Sequence, residues 1–304
     1  TTVYLNRQIK RRNEKRIEEI SDKCLLCGKC SAVCPVGVEG DKLRIAQRSV
    51  RKYSLEPDYS QIDTLQLSGK LEKGHKVLYF AGCMSPLTPG IVKSMTSLLN
   101  KAGEEWQMMD EDGGICCGRP MLMAGRKEAA QQMIEKNTAI IKESGASVLL
   151  LSCPICYRIF KEKYALEGIE VLHHTEYIYS LISDGKIKPD KSGLKYAYHD
   201  PCELGRGCGI YDEPRRVVES VGTLVEGKKN RKESICCGGS LGSLTLGYDK
   251  RKPLVENALN NLTATSADIV VTACPLCKNT FAKYATNPVL DIAEIVNRAI
   301  LEEN

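Results

Sequence analysis

The chain has 304 residues, 42% of them hydrophobic, enough to build two domains of ordinary size and a small appendage. Its 43 Lys and Arg against 38 Asp and Glu leave a net charge of +5, too near balance for a nucleic-acid-binding protein but compatible with an acidic redox partner or an anionic substrate. The longest apolar runs, such as Val148–Leu151 and Ile269–Val271, fall far short of the ~20 residues of a spanning helix, so no membrane insertion of this chain is expected.

The opening stretch lacks the charged, apolar and small-residue succession of a signal peptide, which predicts a cytoplasmic chain in a reducing compartment, where 15 cysteines mean metal and not disulfides. Gln8–Ile20 places Ile9, Ile17 and Ile20 at helical spacing among Lys, Arg and Glu and reads as an amphipathic helix with a solvated face. Next comes Cys24, Cys27, Cys30 and Cys34 followed by Pro35, the C-x2-C-x2-C-x3-CP run of bacterial ferredoxins, whose closely spaced thiolates wrap one face of a [4Fe-4S] cubane. Zinc prefers two separated CxxC pairs, so this run predicts iron-sulfur. Cys34 either closes its own cluster or ligates that of a second run upstream of Thr1. A helix over Asp41–Tyr53 and a polar linker over Pro57–Gly74 complete a helical ferredoxin-like domain, residues 1–72.

From Lys76 the chain repeats itself: Lys76–Ile182 matches Leu194–Ile300. Each copy runs strand, helix, ICCG, helix, strand, CPxC, strand. In the first these are Val77–Cys83, Ile91–Leu99, Ile115–Gly118, Lys127–Lys142, Ser147–Cys156 and Ile169–His174. In the second they are Lys195–Cys202, Pro214–Val221, Ile235–Gly238, Lys252–Leu262, Asp268–Cys277 and Pro288–Ile292. The offset is 119 residues at Cys83 and Cys202 and 121 at Cys156 and Cys277, a drift small enough to mark a duplication. Alternating strands and helices predict an α/β class with two small parallel sheets flanked by helices, one in residues 73–190 and one in 191–304. Sites in such sheets form beyond the carboxyl ends of the strands, where Cys83, Cys153, Cys202 and Cys274 fall.

The repeats carry Cys83-x32-Cys116-Cys117-x35-Cys153-x2-Cys156 and Cys202-x33-Cys236-Cys237-x36-Cys274-x2-Cys277. Five thiols exceed the four of a cubane or a zinc ion, which predicts a less regular site where adjacent cysteines engage different irons or one thiolate bridges two. Zinc at one of the motifs is the alternative. Pro154 and Pro275 suit the first turn of a helix whose N-terminus faces an anionic cluster.

These two motifs, C-x31-39-CC-x35-36-C-x2-C, resemble the cysteine-rich CCG domain, and the resemblance extends from Lys76 to the C-terminus. The chain is similar to the B and D subunits of heterodisulfide reductases, and more distantly to iron-sulfur subunits of lactate and glycolate oxidation and the E subunit of some succinate dehydrogenases. The resemblance implies two non-cubane [4Fe-4S] clusters, one held by Cys83, Cys116, Cys117, Cys153 and Cys156, the other by Cys202, Cys236, Cys237, Cys274 and Cys277. It implies cleavage or formation of a small disulfide between them, with electrons fed through the Cys24–Cys34 cluster from a flavin-containing subunit and possible further iron-sulfur subunits. The front end departs from the pattern, since D-type proteins carry two ferredoxin runs, B-type proteins none, and this chain one. An electron relay between a dehydrogenase and a quinone or ferredoxin, without disulfide chemistry, is the alternative function.

Among other residues, Cys208 has no counterpart in the first repeat and reads as a non-ligand. His199, before Cys202, is either a proton donor to a leaving thiolate or a histidine bonded inside its turn. Arg119, Glu203 and Arg206 are candidates for contact with a substrate anion, while His75, His173 and His174 read as solvated or strand-end residues. No Gly-rich phosphate loop or hydrolase motif is present, so a partner must supply hydride chemistry.

Overall fold

The computed structural model describes residues 2–50, 71–110, 115–239 and 242–301. The N-terminal part folds into helices α1 (Thr2–Lys10), α2 (Glu14–Asp22), α3 (Lys29–Ala32) and α4 (Gly40–Ser49). The single helix expected over Gln8–Ile20 is thus two. Arg12 turns to φ 52°, and the Asn13 side chain accepts a 3.2 Å bond from the Arg16 amide to cap α2. The helix expected over Asp41–Tyr53 corresponds to α4 as far as Ser49, while its last three residues and the expected linker as far as residue 70 lie outside the described residues.

The first copy runs β1 (Val77–Phe80), α5 (Pro89–Lys101), β2 (Trp106–Met108), α6 (Arg119–Met123), α7 (Lys127–Ser144), β3 (Val148–Leu151), α8 (Pro154–Lys163), β4 (Glu170–His173) and α9 (His174–Ser183). The second runs β5 (Lys195–His199), α10 (Gly205–Cys208), α11 (Asp212–Val221), β6 (Thr223–Val225), α12 (Tyr248–Thr263), β7 (Ile269–Thr272), α13 (Pro275–Phe281), β8 (Val289–Asp291) and α14 (Ile292–Leu301). All described pairings are parallel, in the orders β2-β1-β3-β4 and β6-β5-β7-β8, as the α/β reading predicts. The central strands VLYF, VLLL and IVVT are buried at every position because helices cover both faces of a parallel sheet. Strand order reverses between β1 and β3 and between β5 and β7, so the cysteines that follow these strands stand at the switch points where crevices open.

The copies pack reciprocally: α5 of the first lies on α14 of the second, and α9 of the first on α11 of the second. Because α5 and α11 hold equivalent places in the repeat, as do α9 and α14, this is an approximate twofold. One core cluster therefore spans both copies, with Met95, Leu98, Leu99, Ile178 and Leu181 meeting Val217, Val221, Ile292, Ile295 and Val296. Each such side chain contributes about 2 kcal/mol of burial.

His173 and His174 are not solvated: both have no exposure. His173 caps α9, where its Nδ1 accepts from the Thr175 amide and Glu176 reaches back to its own amide. Asp291 does the same for α14 and stands 2.9 Å from His174 Nε2 across the interface. A strand-end polar residue in this repeat is a helix cap, which explains why a buried position tolerates it.

Candidate functional site

In the first copy the loops after β1 and β2, the turn after β3 and the first turn of α8 bring five cysteines together. Asp110 fixes the Cys83 turn, accepting from the amides of Ala81 at 2.8 Å and Gly82 at 2.7 Å. The thiols form a continuous set, with Cys83 beside Cys116, Cys116 beside Cys117, and Cys156 beside both Cys117 and Cys153. Cys83 is exposed and the other four are buried. Gly118 has φ +80° and Gly238 φ +78°, left-handed turns that let each adjacent pair point both sulfurs inward. A cleft of about 280 Å³ opens here, lined by Gly82, Met84, Pro120 and Ile155 besides the cysteines.

The second copy repeats the set. Cys236 lies beside Cys202 and Cys237, and Cys277 lies 3.2 Å from Cys237 and beside Cys274. Its cleft, about 340 Å³, is lined by all five of its cysteines, of which Cys202 alone is half-buried, together with Met123, Pro154 and Ile155 of the first copy. Ile155 borders both clefts, and the charge of Cys153 is felt at Cys274. The ten cysteines therefore form two neighbouring sites on one edge of the molecule.

Packing thiols this closely splits their acidities. Cys117 is drawn down to about 6, first by Cys116 and then by Cys156, while Cys116 is pushed up to about 12, chiefly by Cys117. Cys237 is likewise held well below an ordinary thiol, first by Cys236 and then by Cys277, whereas Cys236 and Cys277 are driven well above it. Clustered sulfurs of this kind offer the soft thiolate donors that iron-sulfur and zinc sites use. The N-termini of α8 and α13 face them, each beginning at a proline after an extended cysteine, as the sequence predicts.

The ferredoxin-type run rests on the second copy. Cys27 is adjacent to Cys236, which lowers the Cys27 thiol to about 6. Arg206 joins the two loops: its Nε donates to the Cys27 carbonyl at 2.8 Å and its Nη1 to the Ser234 carbonyl at 2.8 Å. Lys29 reaches the Glu233 carbonyl at 2.7 Å, and the Leu244 amide donates to the Asp22 carbonyl at 2.8 Å. Cys24 and Cys34 accept amide bonds from Leu26 and Val38, and Cys30 is exposed. A second anchor reaches the first copy, where the buried Arg48 donates to the carbonyls of Met123 at 2.7 Å and Ser21. Gly125 permits that approach, since a Cβ there would stand 2.7 Å from the Arg48 carbonyl carbon.

Of the residues considered for anions, Arg119 and Glu203 pair with each other at 3.2 Å, Glu203 also taking Arg158 at 3.0 Å, and Arg206 is the strut just described. His75 lies 3.6 Å from Glu72, away from the cysteines. Cys208 stands outside both sets, its thiol pushed up to about 12 by burial. His199 is at the site: a ring nitrogen and the sulfurs of Cys237 and Cys277 all lie within 4.8 Å of one another. It does not line the open cleft; it stands behind those thiols. Sequence reasoning did not find Arg48, Asp110 or Ile155, which act through backbone carbonyls, backbone amides and shape and leave no spacing signal.

Known protein families match the same three cysteine-bearing segments. A family model described as a cysteine-rich domain, CCG, matches twice, at residues 77–161 and 196–282, and a 4Fe-4S binding domain matches residues 17–38. The chain is 30% identical over 302 residues to the D subunit of the dihydromethanophenazine:CoB–CoM heterodisulfide reductase of Methanosarcina acetivorans, covering 87% of this chain and 74% of that one. It is 29% identical over 286 residues to the B subunit of the CoM/CoB fumarate reductase of Methanothermobacter marburgensis, covering 86% of this chain and 57% of the relative. It is 29% identical over 249 residues to the EtfAB:quinone oxidoreductase of Syntrophomonas wolfei, of which it spans 35%.

Proposed function

Since the chain belongs to the cysteine-rich CCG family of iron-sulfur oxidoreductases, we propose that it is one component of a larger complex, receiving electrons from a flavin-containing partner and using them to reduce, or in reverse to form, a small disulfide. Cys24, Cys27, Cys30 and Cys34 would hold a [4Fe-4S] cluster, and each set of five CCG cysteines a non-cubane [4Fe-4S] cluster. Such clusters, when bound, supply one-electron transfer and an iron open to a thiolate sulfur. The observation that carries the reading is the presence of two complete five-cysteine sets, each with its own cleft, and Ile155 bordering both. A substrate with two linked sulfurs would present one sulfur toward each set.

The chain's own residues then have assignable tasks. Met123, Pro154, Ile155, Pro201 and Leu276 line the second cleft with apolar surface, which excludes water from an emerging thiolate. Glu203, which lines the cleft, and Glu162 together pair with Arg119 and Arg158, so two cations stand one residue back from a leaving thiolate while remaining neutralised in the resting protein. Arg206 keeps the ferredoxin-type loop against the second set, and the exposed Cys30 leaves its far side open to a partner. Among the described residues no helix is long and apolar enough to cross a membrane.

The test is anaerobic purification with native partners. About 12 irons per chain are expected, four for each of three clusters. Viologen-linked reduction of a disulfide should proceed, and thiol added to the oxidised protein should give a new paramagnetic signal. About eight irons with one zinc would show that one CCG motif is structural and overturn the two-cluster site. Inertness toward every thiol and disulfide together with quinone or ferredoxin reduction would instead favour the relay.

A further inference from the structure

The two cysteine sites differ at one position behind the thiols. β1 ends at Phe80, paired with Leu151, and β5 ends at His199, paired with Thr272, so the two side chains hold the same place in the duplicated sheet. Their neighbours correspond as well. Phe80 meets Phe160 edge-on at 5.3 Å, and His199 meets Phe281 edge-on at 4.8 Å. In the first copy this ring offers only carbon, and Phe80 and the Cys156 sulfur both lie within 3.5 Å of where a Gly82 Cβ would be. In the second it offers nitrogen within 4.8 Å of Cys237 and Cys277. His199 is 3% exposed, and its Nε2 is buried with no hydrogen-bond partner among the described residues. A polar ring so placed carries a desolvation cost unless a neighbouring sulfur takes its N–H.

We propose that His199 is a positioning residue that donates a ring N–H to a ligand thiolate of the second CCG site, Cys237 foremost, and so gives that site a higher reduction potential than the first, where Phe80 stands. This rests on the reading that both sites hold clusters. The sign follows from charge: reduction adds an electron to an already anionic group, and a hydrogen bond to its sulfur stabilises the more negative state. Histidine as a further ligand is unnecessary, because five thiols already exceed the four of an ordinary cluster. The difference also falls on the copy that carries the ferredoxin-type run, since Cys27 adjoins Cys236. One electron arriving from that side is therefore held first at the second site, and the next reaches the first.

The experiment is a potentiometric titration followed by electron paramagnetic resonance on the complete chain, with the second-site signal assigned by its loss in Cys237→Ser. In His199→Phe, which copies the ring already accommodated at Phe80, the second-site midpoint should fall by at least tenfold in the one-electron equilibrium, about 59 mV. The first-site midpoint and the iron content should not change. In Phe80→His the first-site midpoint should rise. Midpoints that stay put in both variants at full iron content overturn the inference while leaving the function intact. A strong nitrogen coupling that marks His199 as a direct ligand also overturns it. Absence of any CCG-site signal in the unaltered protein overturns the inference and the function together.

Discussion

The two halves of the duplication share a sheet order, a register and a set of five cysteines, yet differ in what surrounds the thiols. The second copy has His199 where the first has Phe80, and Arg206 where the first has the exposed Leu87. Only the second has the ferredoxin-type run against its paired cysteines, through Cys27 and Cys236. The first copy contributes Ile155 and Pro154 to its neighbour's cleft. A repeat can thus keep its cysteines while the residues around them diverge, the second copy adjoining the ferredoxin-type run and the first closing the cleft.

The largest expected effect separates the sets directly. Cys237→Ser removes a sulfur that lies 3.2 Å from Cys277, and it should abolish both the thiol-induced signal and disulfide reduction while iron falls toward about eight per chain. Cys27→Ser should slow reduction by the partner and leave the thiol signal in place. The reverse pattern would put the substrate at the ferredoxin-type run.

A second substitution asks whether the halves are one cooperative body. Asp291 caps α14 and pairs with His174 across the interface, with neither side chain exposed. Asp291→Ala should cost about 2 kcal/mol, the scale for losing a helix cap together with a buried hydrogen bond, and lower the denaturation midpoint of the whole chain in one transition. Two separate transitions would mean that the copies fold independently.

Smaller effects sharpen the comparison. Arg206→Gln removes the charged strut between Cys27 and Ser234, and reduction through the ferredoxin-type run should slow about tenfold at unchanged iron content, in line with about 1.5 kcal/mol for a hydrogen bond to a charged group. Smallest of all, Cys208→Ala should change stability by less than about 1 kcal/mol and leave iron content and every signal unchanged, because that thiol belongs to neither set.

Much of this was legible in the sequence because metal sites constrain spacing. The C-x2-C-x2-C-x3-CP run and the two CCG patterns located 14 of the 15 cysteines in three groups, and the 119-residue offset gave the duplicated α/β layers. The strands β2 and β6 were missed because each is three residues long and no better than half-buried at the sheet edge, so neither shows the continuous apolar run of β1 or β3. The break at Arg12 was missed because its left-handed turn uses an arginine where glycine or asparagine would signal one. Helix α12 begins at Tyr248, a turn before Pro253, so the proline does not mark the start that it usually does. Docking of the N-terminal helices through Arg48 and Arg206 was invisible, since both arginines bond carbonyls that any residue carries.

The central claim is that the ferredoxin-type site is wired to the second CCG site, and pulsed dipolar spectroscopy on the partly reduced protein tests it most directly. A strong magnetic interaction is predicted between the ferredoxin-type signal and the second-site signal, lost in Cys237→Ser, and a weaker one with the first. An interaction that survives Cys237→Ser undiminished would place the ferredoxin-type site beside the first copy and contradict that claim.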